Sequence, residues 1–259
     1  FAITVSGSPS VQRFSPFAPL TVYNPTTYGG SGYFDGSGDY LTTNYTINWS
    51  TYGSYTLEFW VYHTTMSPTN QLYFAGGTGG TESGTGNTIF YNYANGRVGL
   101  GINGTNEIVS SSGIIKANTW QHIAYTFNGT TTIVYVDGVQ VASGTTAVYA
   151  NSSVALAVGG GSASSSFVMN GYIANMRLSQ SVIYSSAFTP PTSPVTGGSL
   201  LLNYTNAGIL DNAMMNDLET VGNAQISTSI KKYGTGSLAF DGSGDCLDSQ
   251  STPNLALTT

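Results

Sequence analysis

Charged side chains are scarce in this chain. Only 7% of its 259 residues are Asp, Glu, Lys or Arg, whereas an average soluble domain has roughly 25%. Six Lys and Arg residues against twelve acidic ones leave a formal net charge of −6. Binding of nucleic acid depends on clustered basic side chains, because contacts to phosphate supply most of the affinity. The composition therefore argues against nucleic acid as a partner.

Cysteine and long apolar runs are also nearly absent. The single cysteine, Cys246, excludes an internal disulfide and a zinc site built from cysteines. No apolar run approaches the roughly 20 residues that a membrane-spanning helix needs, so we expect no membrane insertion. Phe1–Ser10 lacks the basic start of a signal peptide, and the chain begins without Met and stops at Thr259 inside a repeated pattern. We therefore expect a piece of a longer polypeptide.

Apolar and uncharged polar residues make up most of the chain instead. The hydrophobic content of 40%, with 12% aromatic residues, is enough to build a full core. Its polarity comes mainly from Ser, Thr, Asn and Gly, which is typical of β-proteins at extracellular and virion surfaces. We therefore expect an ordered protein at one of those two locations.

One segment occurs twice. Gly30–Leu41 (GSGYFDGSGDYL) and Gly236–Leu247 (GSLAFDGSGDCL) lie 206 positions apart and are identical at nine of twelve positions. The duplication predicts one full structural unit followed by the beginning of a second. Such tandem repeats favour display and multivalent contact over a single reaction centre.

Alternating apolar and polar residues predict β-strands along most of the first 188 residues. In Tyr55–Tyr62 the alternation places Tyr55, Leu57, Phe59 and Val61 on one face and Glu58, Trp60 and Tyr62 on the other. The dipeptides Asn95-Gly96 and Asp137-Gly138 suit two-residue type I′ turns. The predicted fold is an all-β antiparallel sandwich of two sheets. The further predicted strands are Asn87–Asn92, Val98–Ile102, Trp120–Phe127, Thr132–Val136, Val154–Val158 and Tyr172–Leu178.

A Pro-, Thr- and Gly-rich stretch, Thr189–Gly198, resembles a linker. Ser199–Tyr204 (SLLLNY) follows it as a new apolar strand, which we expect to open the second unit. The first unit would then lack this strand and leave a sheet edge open. Upstream of the duplicated motif, we expect Val5–Phe17 of the first unit to correspond to Val221–Tyr233 of the second. The predicted organisation is an N-terminal region at 1–29, a sandwich at 30–188, a linker at 189–198 and the start of a second unit at 199–259.

Four segments follow the order found in laminin-G-like domains, which belong to the concanavalin A-like lectin/glucanase superfamily. They are FDGSGDYL from Phe34, YTLEFWVY from Tyr55, NTWQHIAYTFNGTTTIVYVDGVQVAS from Asn118 and NGYIANMRLSQSVIY from Asn170. The chain resembles this family over residues 30 to about 188. The resemblance implies a two-sheet jelly roll with a concave face that in some relatives binds glycans or calcium.

The tandem arrangement carries a second resemblance. NGYIANMRLSQSVIYSSAFTPPTSP, followed by LLLNYTNAGILD, is similar to repeats in large structural proteins of marine bacteriophages and in some bacterial surface adhesins. This resemblance implies a fibre or appendage at a virion or cell surface. The partners it implies are neighbouring copies or repeats, and a host surface glycan or protein.

The duplicated FDGSGD motif offers a calcium hypothesis. Asp35 and Asp39, and in the second copy Asp241 and Asp245, carry the oxygen ligands that calcium prefers. The alternative is a glycine-assisted turn whose Asp side chains bind their own backbone. We favour the turn because few other carboxylates lie nearby in sequence. Calcium is the one cofactor that the motif leaves open.

Exposed Tyr beside Arg and Asn suits sugar stacking and hydroxyl hydrogen bonding. Tyr91 and Tyr93 alternate on one predicted strand that ends beside Arg97, and Asn103 follows in the next turn. These four residues are the predicted carbohydrate site. Sandwich cores and domain contacts use the same residue types, which leaves a structural role as the alternative.

Catalytic groups do not form a recognisable set. A glycosidase needs two carboxylates at a defined separation, and Glu58 has no evident partner in sequence. His122 lies beside Trp120 in a strand and is expected to be a packing residue. We therefore expect a non-enzymatic structural or adhesive module. A calcium-dependent lectin is the first alternative, and a glycan-degrading enzyme is the second.

Overall fold

The computed structural model describes residues 3–17, 24–67, 70–76, 88–93, 95–102, 105–145, 154–160, 167–205, 218–221, 225–227, 229–230, 232 and 237–249. Strands β1 to β4 are Ile3–Ser6, Ser10–Gln12, Ser31–Asp35 and Tyr40–Ile47. Strands β5 to β9 are Tyr55–His63, Gln71–Gly76, Thr88–Tyr93, Arg97–Ile102 and Thr105–Val109. Strands β10 to β14 are Trp120–Phe127, Thr131–Val136, Val139–Thr145, Val154–Val158 and Asn170–Ser179. Strands β15 to β19 are Leu200–Leu202, Leu218–Val221, Gln225–Ser227, Ser237–Ala239 and Cys246–Ser249, and two short helices are α1 (Pro25–Tyr28) and α2 (Trp49–Tyr52).

Two antiparallel sheets make up the main body of the protein. The seven-stranded sheet has the order β1-β4-β13-β6-β7-β8-β9. The eight-stranded sheet has the order β12-β11-β10-β5-β14-β3-β2, and β15 also pairs with β14. The all-β, two-sheet prediction is thereby confirmed. No helix in the described residues is long and apolar enough to cross a bilayer.

The core lies between the sheets and follows from the alternation along each strand. On β5, Tyr55, Leu57 and Phe59 are 0% exposed, as their predicted face requires. Phe74 and Phe90 of the seven-stranded sheet meet them, also at 0% exposure. Full burial of each such side chain contributes about 1.5–3 kcal/mol. The side chains on the opposite face of β5 are therefore free to build a site outside the core.

The predicted strands and turns are found where the sequence indicated them. All seven predicted strands are present, and their ends lie within one residue of the prediction, except that β14 begins two residues earlier. The predicted hairpin connects β11 to β12 through Asp137 and Gly138, whose φ angles are 50° and 78°. Asn95 and Gly96 also have positive φ angles, 64° and 68°. The register pairs Tyr93 with Arg97, however, so the loop between β7 and β8 is one residue longer than the predicted two-residue type I′ turn.

The apolar strand after the Pro-rich stretch differs from its prediction. Strand β15 pairs with β14 of the first sandwich, with Leu200 opposite Leu178 and Leu202 opposite Met176. Leu200 and Leu202 are 4% and 6% exposed and belong to its core. Ser199–Tyr204 therefore completes the first unit rather than opening the second, because its apolar side chains are buried there.

Strands β16 to β19 repeat the pairing of β1 to β4. β1 pairs with β4 and β2 with β3, while β16 pairs with β19 and β17 with β18. The register matches Ser6 to Val221, because these residues lie opposite the equivalent Tyr40 and Cys246. The sequence match of Val5 to Val221 was thus wrong by one residue. The duplicated motif has a duplicated local structure.

Candidate functional site

A row of aromatic side chains crosses the outer face of the eight-stranded sheet. The strand register places Trp120 opposite Tyr62, Tyr62 opposite Tyr172 and Tyr172 opposite Tyr33. The ring centroids are 5.6, 5.9 and 4.8 Å apart in that order. We call these four residues the aromatic row. Since neighbouring strands lie about 4.8 Å apart, a row over four strands extends roughly 14 Å.

Phe14 lies over the middle of the aromatic row. Its ring centroid is 4.9 Å from those of Tyr62 and Tyr172 and 5.3 Å from that of Trp120. The backbone oxygen of Phe14 accepts a 2.5 Å hydrogen bond from the hydroxyl of Ser31. Phe14 is 40% exposed, and the four residues of the row are half-buried. Together they form a partly open, apolar surface with rings in several orientations.

The next residues along the strands continue this surface. His122 is opposite Trp60, and their ring centroids are 5.2 Å apart. Phe17 packs edge-on against Trp60 at 5.8 Å. Within the described part of the chain, the buried indole nitrogens of Trp60 and Trp120 have no hydrogen-bond partner. These are polar donors within an otherwise apolar face.

Glu58 lies beyond Trp60 on the same face and is 1% exposed. Its Oε1 accepts a 2.8 Å hydrogen bond from Nε of Arg177, whose Nη2 also donates to it. Its Oε2 accepts a 2.8 Å hydrogen bond from the Tyr184 hydroxyl and lies 3.2 Å from Nε2 of His122. We call Glu58, His122, Arg177 and Tyr184 the buried ion cluster. It joins β5, β10 and β14 to the segment that follows β14.

The ion cluster determines the charge state of Glu58. Burial alone would raise the pKa of this carboxyl, but hydrogen bonds from His122, Arg177 and Tyr184 outweigh burial and lower it. Burial and the neighbouring Glu58 charge raise the pKa of the Tyr184 hydroxyl. Tyr184 therefore remains a hydrogen-bond donor. The Arg177 partner of Glu58 was not foreseen from the sequence.

The FDGSGD motif forms the same turn in both copies. Asp35 Oδ1 accepts a 2.6 Å hydrogen bond from the backbone of Ser37, and Asp241 Oδ1 accepts a 2.7 Å bond from Ser243. Asp39 Oδ2 accepts one from the backbone of Asp35 at 3.1 Å. The equivalent bond in the second copy joins Asp241 N to Asp245 Oδ2 at 2.7 Å. The carboxylates thus accept hydrogen bonds from the backbone of their own turn, as the turn hypothesis proposed.

The two copies differ in the burial of the last Asp of the motif. Asp39 is 1% exposed, and its Oδ1 also accepts a 2.6 Å hydrogen bond from the backbone of Ser8. Burial raises the pKa of the Asp39 carboxyl, while hydrogen bonds from Asp35 and Ser8 partly offset this effect. Among the described residues, no group of three or more His, Cys, Asp or Glu side chains could hold a metal ion.

We expect Asp39→Ala to lower the free energy of unfolding by about 1–3 kcal/mol, because two backbone N–H groups lose their acceptor. The matched control is Asp245→Ala, at the equivalent but more open position, where a loss of less than about 0.5 kcal/mol is expected. Urea unfolding followed by tryptophan fluorescence measures both. Equal effects of the two substitutions would contradict the role of Asp39 in anchoring the segment around Ser8.

The carbohydrate site predicted from sequence lies on the other sheet. Tyr91 is only 1% exposed, because it packs with Leu72, Ala75 and Ala157 on the outer side of the seven-stranded sheet. Tyr93 is half-buried, and the Arg97 guanidinium carbon lies 5.0 Å from its ring centroid. Asn103 lies outside the described residues. The expectation of an exposed pair therefore fails for Tyr91, whereas Tyr93 and Arg97 do lie together.

An apolar cavity lies away from the aromatic row. It has a volume of about 440 Å³ and opens between β1, β2, β3, β4 and β15. Most of its lining is apolar, including Val5, Val11, Phe34 and Leu41, and it contains no charged side chain. Sugar recognition needs several convergent polar groups besides apolar contacts. The cavity is therefore less suited to a sugar than the aromatic face, which combines rings with indole donors.

The fold and outer face define an antiparallel β-sandwich with an aromatic surface on one sheet. A family model described as the concanavalin A-like lectin/glucanases superfamily matches residues 35–190. Because the match covers more than half of the chain, the chain belongs to this superfamily. The comparison with curated proteins found no match.

The chain is similar to several solved structures. The heptameric SAP-like pentraxin from Limulus polyphemus is 15% identical, with 60% of this chain and 77% of that chain covered, at a TM-score of 0.46. Domains LG4-5 of the mouse laminin alpha1 chain are 17% identical, with 66% and 48% covered, at 0.44. The Ruminococcus gnavus IT-sialidase CBM40 bound to alpha2,3 sialyllactose is 12% identical, with 56% and 89% covered, at 0.44.

Proposed function

We propose that this chain is a non-enzymatic binding module that contacts surface glycans through the aromatic row and Phe14. It works at an extracellular or virion surface, in a fibre or appendage assembled from similar units. The observation that carries the proposal is the aromatic row itself, in which four rings from four strands lie side by side and half-open. Its ligand is a host or cell-surface glycan.

The chemistry of the surface supports a sugar ligand. Sugar rings present apolar C–H faces and polar hydroxyl edges, and aromatic side chains provide matching apolar area with little loss of conformational freedom. Trp60 and Trp120 add indole N–H groups. These groups can donate hydrogen bonds to a sugar hydroxyl when the side chains packed around them move aside. No charged side chain belongs to the row, so the surface favours a neutral sugar over a strongly charged one.

The chemistry of Glu58 supports a non-catalytic role. A glycosidase acid needs a raised pKa to remain protonated near neutral pH, whereas the pKa of Glu58 is lowered. The groups that contact Glu58 are donors from His122, Arg177 and Tyr184 rather than a second carboxylate. Four hydrogen bonds from three residues thus occupy both oxygens of this buried carboxylate and leave none open to a substrate.

Binding is proposed to be independent of calcium. The Asp35 and Asp39 carboxylates accept hydrogen bonds from backbone N–H groups. The turn between β3 and β4 is therefore held by its own hydrogen bonds and needs no ion to form. Glycan contact at the aromatic row likewise uses no carboxylate.

The low charge supports assembly from similar units. With 7% charged residues, neighbouring copies repel one another little and can pack side by side. The duplicated turn and strand pairing of β16–β19 supply the beginning of a second such unit. A row of modules that each bind weakly gains affinity through multivalency. An adhesive fibre built from such modules holds its target through many weak contacts at once.

A glycan array tests the proposal. The full chain is labelled and applied to a broad array with and without EDTA, and the best ligand is then titrated by calorimetry. Trp120→Ala should weaken binding at least tenfold, which is the typical effect of removing an aromatic anchor, and Trp120→Phe should retain most of it. EDTA should have no effect.

The matched control is Tyr93→Ala, which removes an aromatic ring from the outer face of the other sheet. It should leave glycan binding unchanged within twofold. Loss of binding in Tyr93→Ala but not in Trp120→Ala would transfer the site to the Tyr93 and Arg97 pair. Binding that disappears in EDTA would favour a calcium-dependent lectin instead.

A further inference from the structure

Two polar side chains, His122 and Tyr135, are buried on the outer face of the eight-stranded sheet. They are 1% and 0% exposed. Within the described ranges, Nδ1 of His122 and the hydroxyl of Tyr135 have no hydrogen-bond partner. A buried polar atom without a partner destabilises the fold. Stability therefore does not explain why these two groups lie on this face.

The pairing of β10 with β11 brings the two groups together. Tyr135 lies opposite Ala124, and His122 precedes Ala124 by two residues on the same face of β10. The two side chains are thus diagonal neighbours, for which the usual separation is about 7–8 Å. Two hydrogen bonds of 2.8 Å join the backbone of His122 to Asp137 of the following turn. The hairpin therefore fixes the position of His122.

One aromatic ring, that of Phe188, covers both groups. It packs edge-on against His122 at a centroid distance of 5.7 Å and against Tyr135 at 5.4 Å. Its other contact is a stack on the Tyr184 ring at 3.6 Å. The Phe188 backbone N–H donates a 3.0 Å hydrogen bond to the Gly138 carbonyl oxygen, yet its side chain is only half-buried. The ring can therefore turn outward while its backbone stays in place.

Glu58 determines the hydrogen-bonding role that His122 has left to offer. A carboxylate only accepts hydrogen bonds, so Nε2 of His122, 3.2 Å from Oε2 of Glu58, carries the proton of that contact. In the neutral imidazole, Nδ1 is then a lone-pair acceptor. The Tyr135 hydroxyl can both donate and accept. The pair therefore presents one acceptor beside one group that can take either role.

An uncharged hydroxyl group fits this pair. It donates one hydrogen bond and accepts up to two, so it can donate to Nδ1 of His122 while it accepts from Tyr135. A carboxylate or phosphate would place negative charge against the Nδ1 lone pair and near Glu58. An ammonium group would leave water for a site whose carboxylate, Glu58, is already paired with Arg177. The chemistry therefore favours a neutral polyol.

We infer that His122 and Tyr135 form a hydroxyl-binding subsite beside the aromatic row, which opens when the Phe188 ring turns outward and then holds one hydroxyl of a neutral sugar. The subsite rests on the glycan-binding function proposed above and adds the polar contact that orients the sugar. Trp120 lies two residues before His122 on the same face of β10, roughly 7 Å away. One sugar stacked on Trp120 can therefore reach the subsite. The row supplies apolar contact, and the subsite supplies specificity.

Tyr135→Phe tests the subsite because it removes only the hydroxyl. In the free protein, the loss of an unpartnered buried hydroxyl should raise the melting temperature by about 2–4 °C. The affinity for the best glycan from the array, measured by calorimetry, should nevertheless fall about tenfold. A purely structural role of Tyr135 would not combine greater stability with weaker binding.

The matched control is Tyr125→Phe. The Tyr125 hydroxyl donates a 3.1 Å hydrogen bond to the Gly99 carbonyl oxygen, and the side chain is 0% exposed in the core. Its removal should lower the melting temperature by about 2–4 °C. Glycan affinity should stay within twofold of that of the natural chain. The two Tyr→Phe substitutions should therefore differ both in the sign of the temperature shift and in their effect on binding.

Sugar analogues identify the hydroxyl that is bound. Analogues of the best glycan that each lack one hydroxyl are titrated against the natural chain and against Tyr135→Phe. One analogue should bind the natural chain about tenfold more weakly than the parent glycan does. Tyr135→Phe should bind that analogue as the natural chain does, within twofold, because the contact between the two hydroxyls is already lost.

Three results would overturn the subsite. The first is a melting temperature that falls in Tyr135→Phe as it does in Tyr125→Phe, which would show, with or without a glycan, that the hydroxyl has a partner in the folded chain. The second is unchanged affinity of Tyr135→Phe for a glycan that Trp120→Ala binds weakly, which would leave the aromatic row as the binding surface. The third is additive losses for Tyr135→Phe and every analogue. Absence of any glycan ligand would instead reject the proposed function itself.

Discussion

Replacing Arg177 with Met is expected to lower the free energy of unfolding by about 3 kcal/mol, near the lower end of the range for breaking a buried ion pair. Arg177 supplies two of the donors to Glu58, whose side chain is 1% exposed. The Met side chain retains most of the apolar stem, so the loss reports the guanidinium. The loss of unfolding free energy stays near this lower limit because His122 and Tyr184 still contact Glu58.

Chemical denaturation at pH 7 measures this effect, and two further variants interpret it. Arg97→Met removes a cation from the other sheet, where the guanidinium lies half-buried over Tyr93 and donates to the Ser110 backbone. It should cost less than about 1 kcal/mol. The double variant Glu58→Gln, Arg177→Met should recover part of the loss, because it leaves no buried charge. Equal costs for Arg177→Met and Arg97→Met would contradict the structural role of the ion cluster.

Acidification from pH 6.5 to pH 4 is expected to remove about 3 kcal/mol of stability through His63 alone, as the two pKa values of this residue imply. Burial lowers the pKa of His63 from 6.5 to about 4, and its hydrogen bond with Gln71 only partly offsets burial. The His63 side chain therefore binds a proton near pH 6.5 in the unfolded chain but only near pH 4 in the folded chain. The stabilisation is complete above pH 6.5 and decreases as the pH falls through this window.

His63→Gln isolates this contribution. Gln retains hydrogen-bonding capacity toward Gln71 and Tyr73, which lie 3.0 and 2.9 Å from the ring nitrogens, but it does not titrate. The variant should lose much less stability than the natural chain between pH 6.5 and 4, as measured by urea unfolding at several pH values. Glu58 contributes at the acid end of this window and below it, because the stabilisation that comes with its lowered pKa is lost as the pH falls below about 4.5. This loss is the same in His63→Gln and in the natural chain. An unchanged pH dependence in His63→Gln would contradict the assignment.

Local sequence pattern was sufficient to predict the sandwich. Residues alternate with period two along a strand, so Tyr55, Leu57, Phe59 and Val61 had to share a face, and their burial made it the core face. Asp137-Gly138 predicted its hairpin for a similar reason, because few other dipeptides accept two positive φ angles. Both predictions depend only on residues adjacent in sequence.

The candidate site depends on contacts that local pattern does not contain. Alternation placed Trp60 and Tyr62 on the outer face of β5, but Trp120, Tyr172 and Tyr33 join them only through the register of four strands. Arg177 is 119 positions from Glu58, and nothing near either residue indicates the pair. A useful signal was available in YTLEFWVY, since two large aromatics and one carboxylate on an outer face require partners.

Two further differences have the same origin. Tyr91 alternates as an exposed residue would, yet Leu72 and Ala157 from neighbouring strands cover it. The strand SLLLNY is equally apolar whichever sandwich it joins, and only its pairing with β14 assigns it to the first. Local sequence indicates which side chains tend to be buried. The neighbours that bury them are determined by which strands pair in the folded chain.

The most direct test of the glycan-binding account uses the three tryptophans of the chain. Their indole N–H signals are assigned in ¹⁵N-correlated NMR spectra with Trp→Phe variants and followed during titration with the best glycan from the array. Trp60 and Trp120 lie on the outer face of the eight-stranded sheet, whereas Trp49 is 2% exposed in the core and is the internal control. The account predicts that the Trp120 and Trp60 signals shift with saturation while the Trp49 signal stays in place. Saturable binding that leaves both outer-face signals unmoved would contradict it.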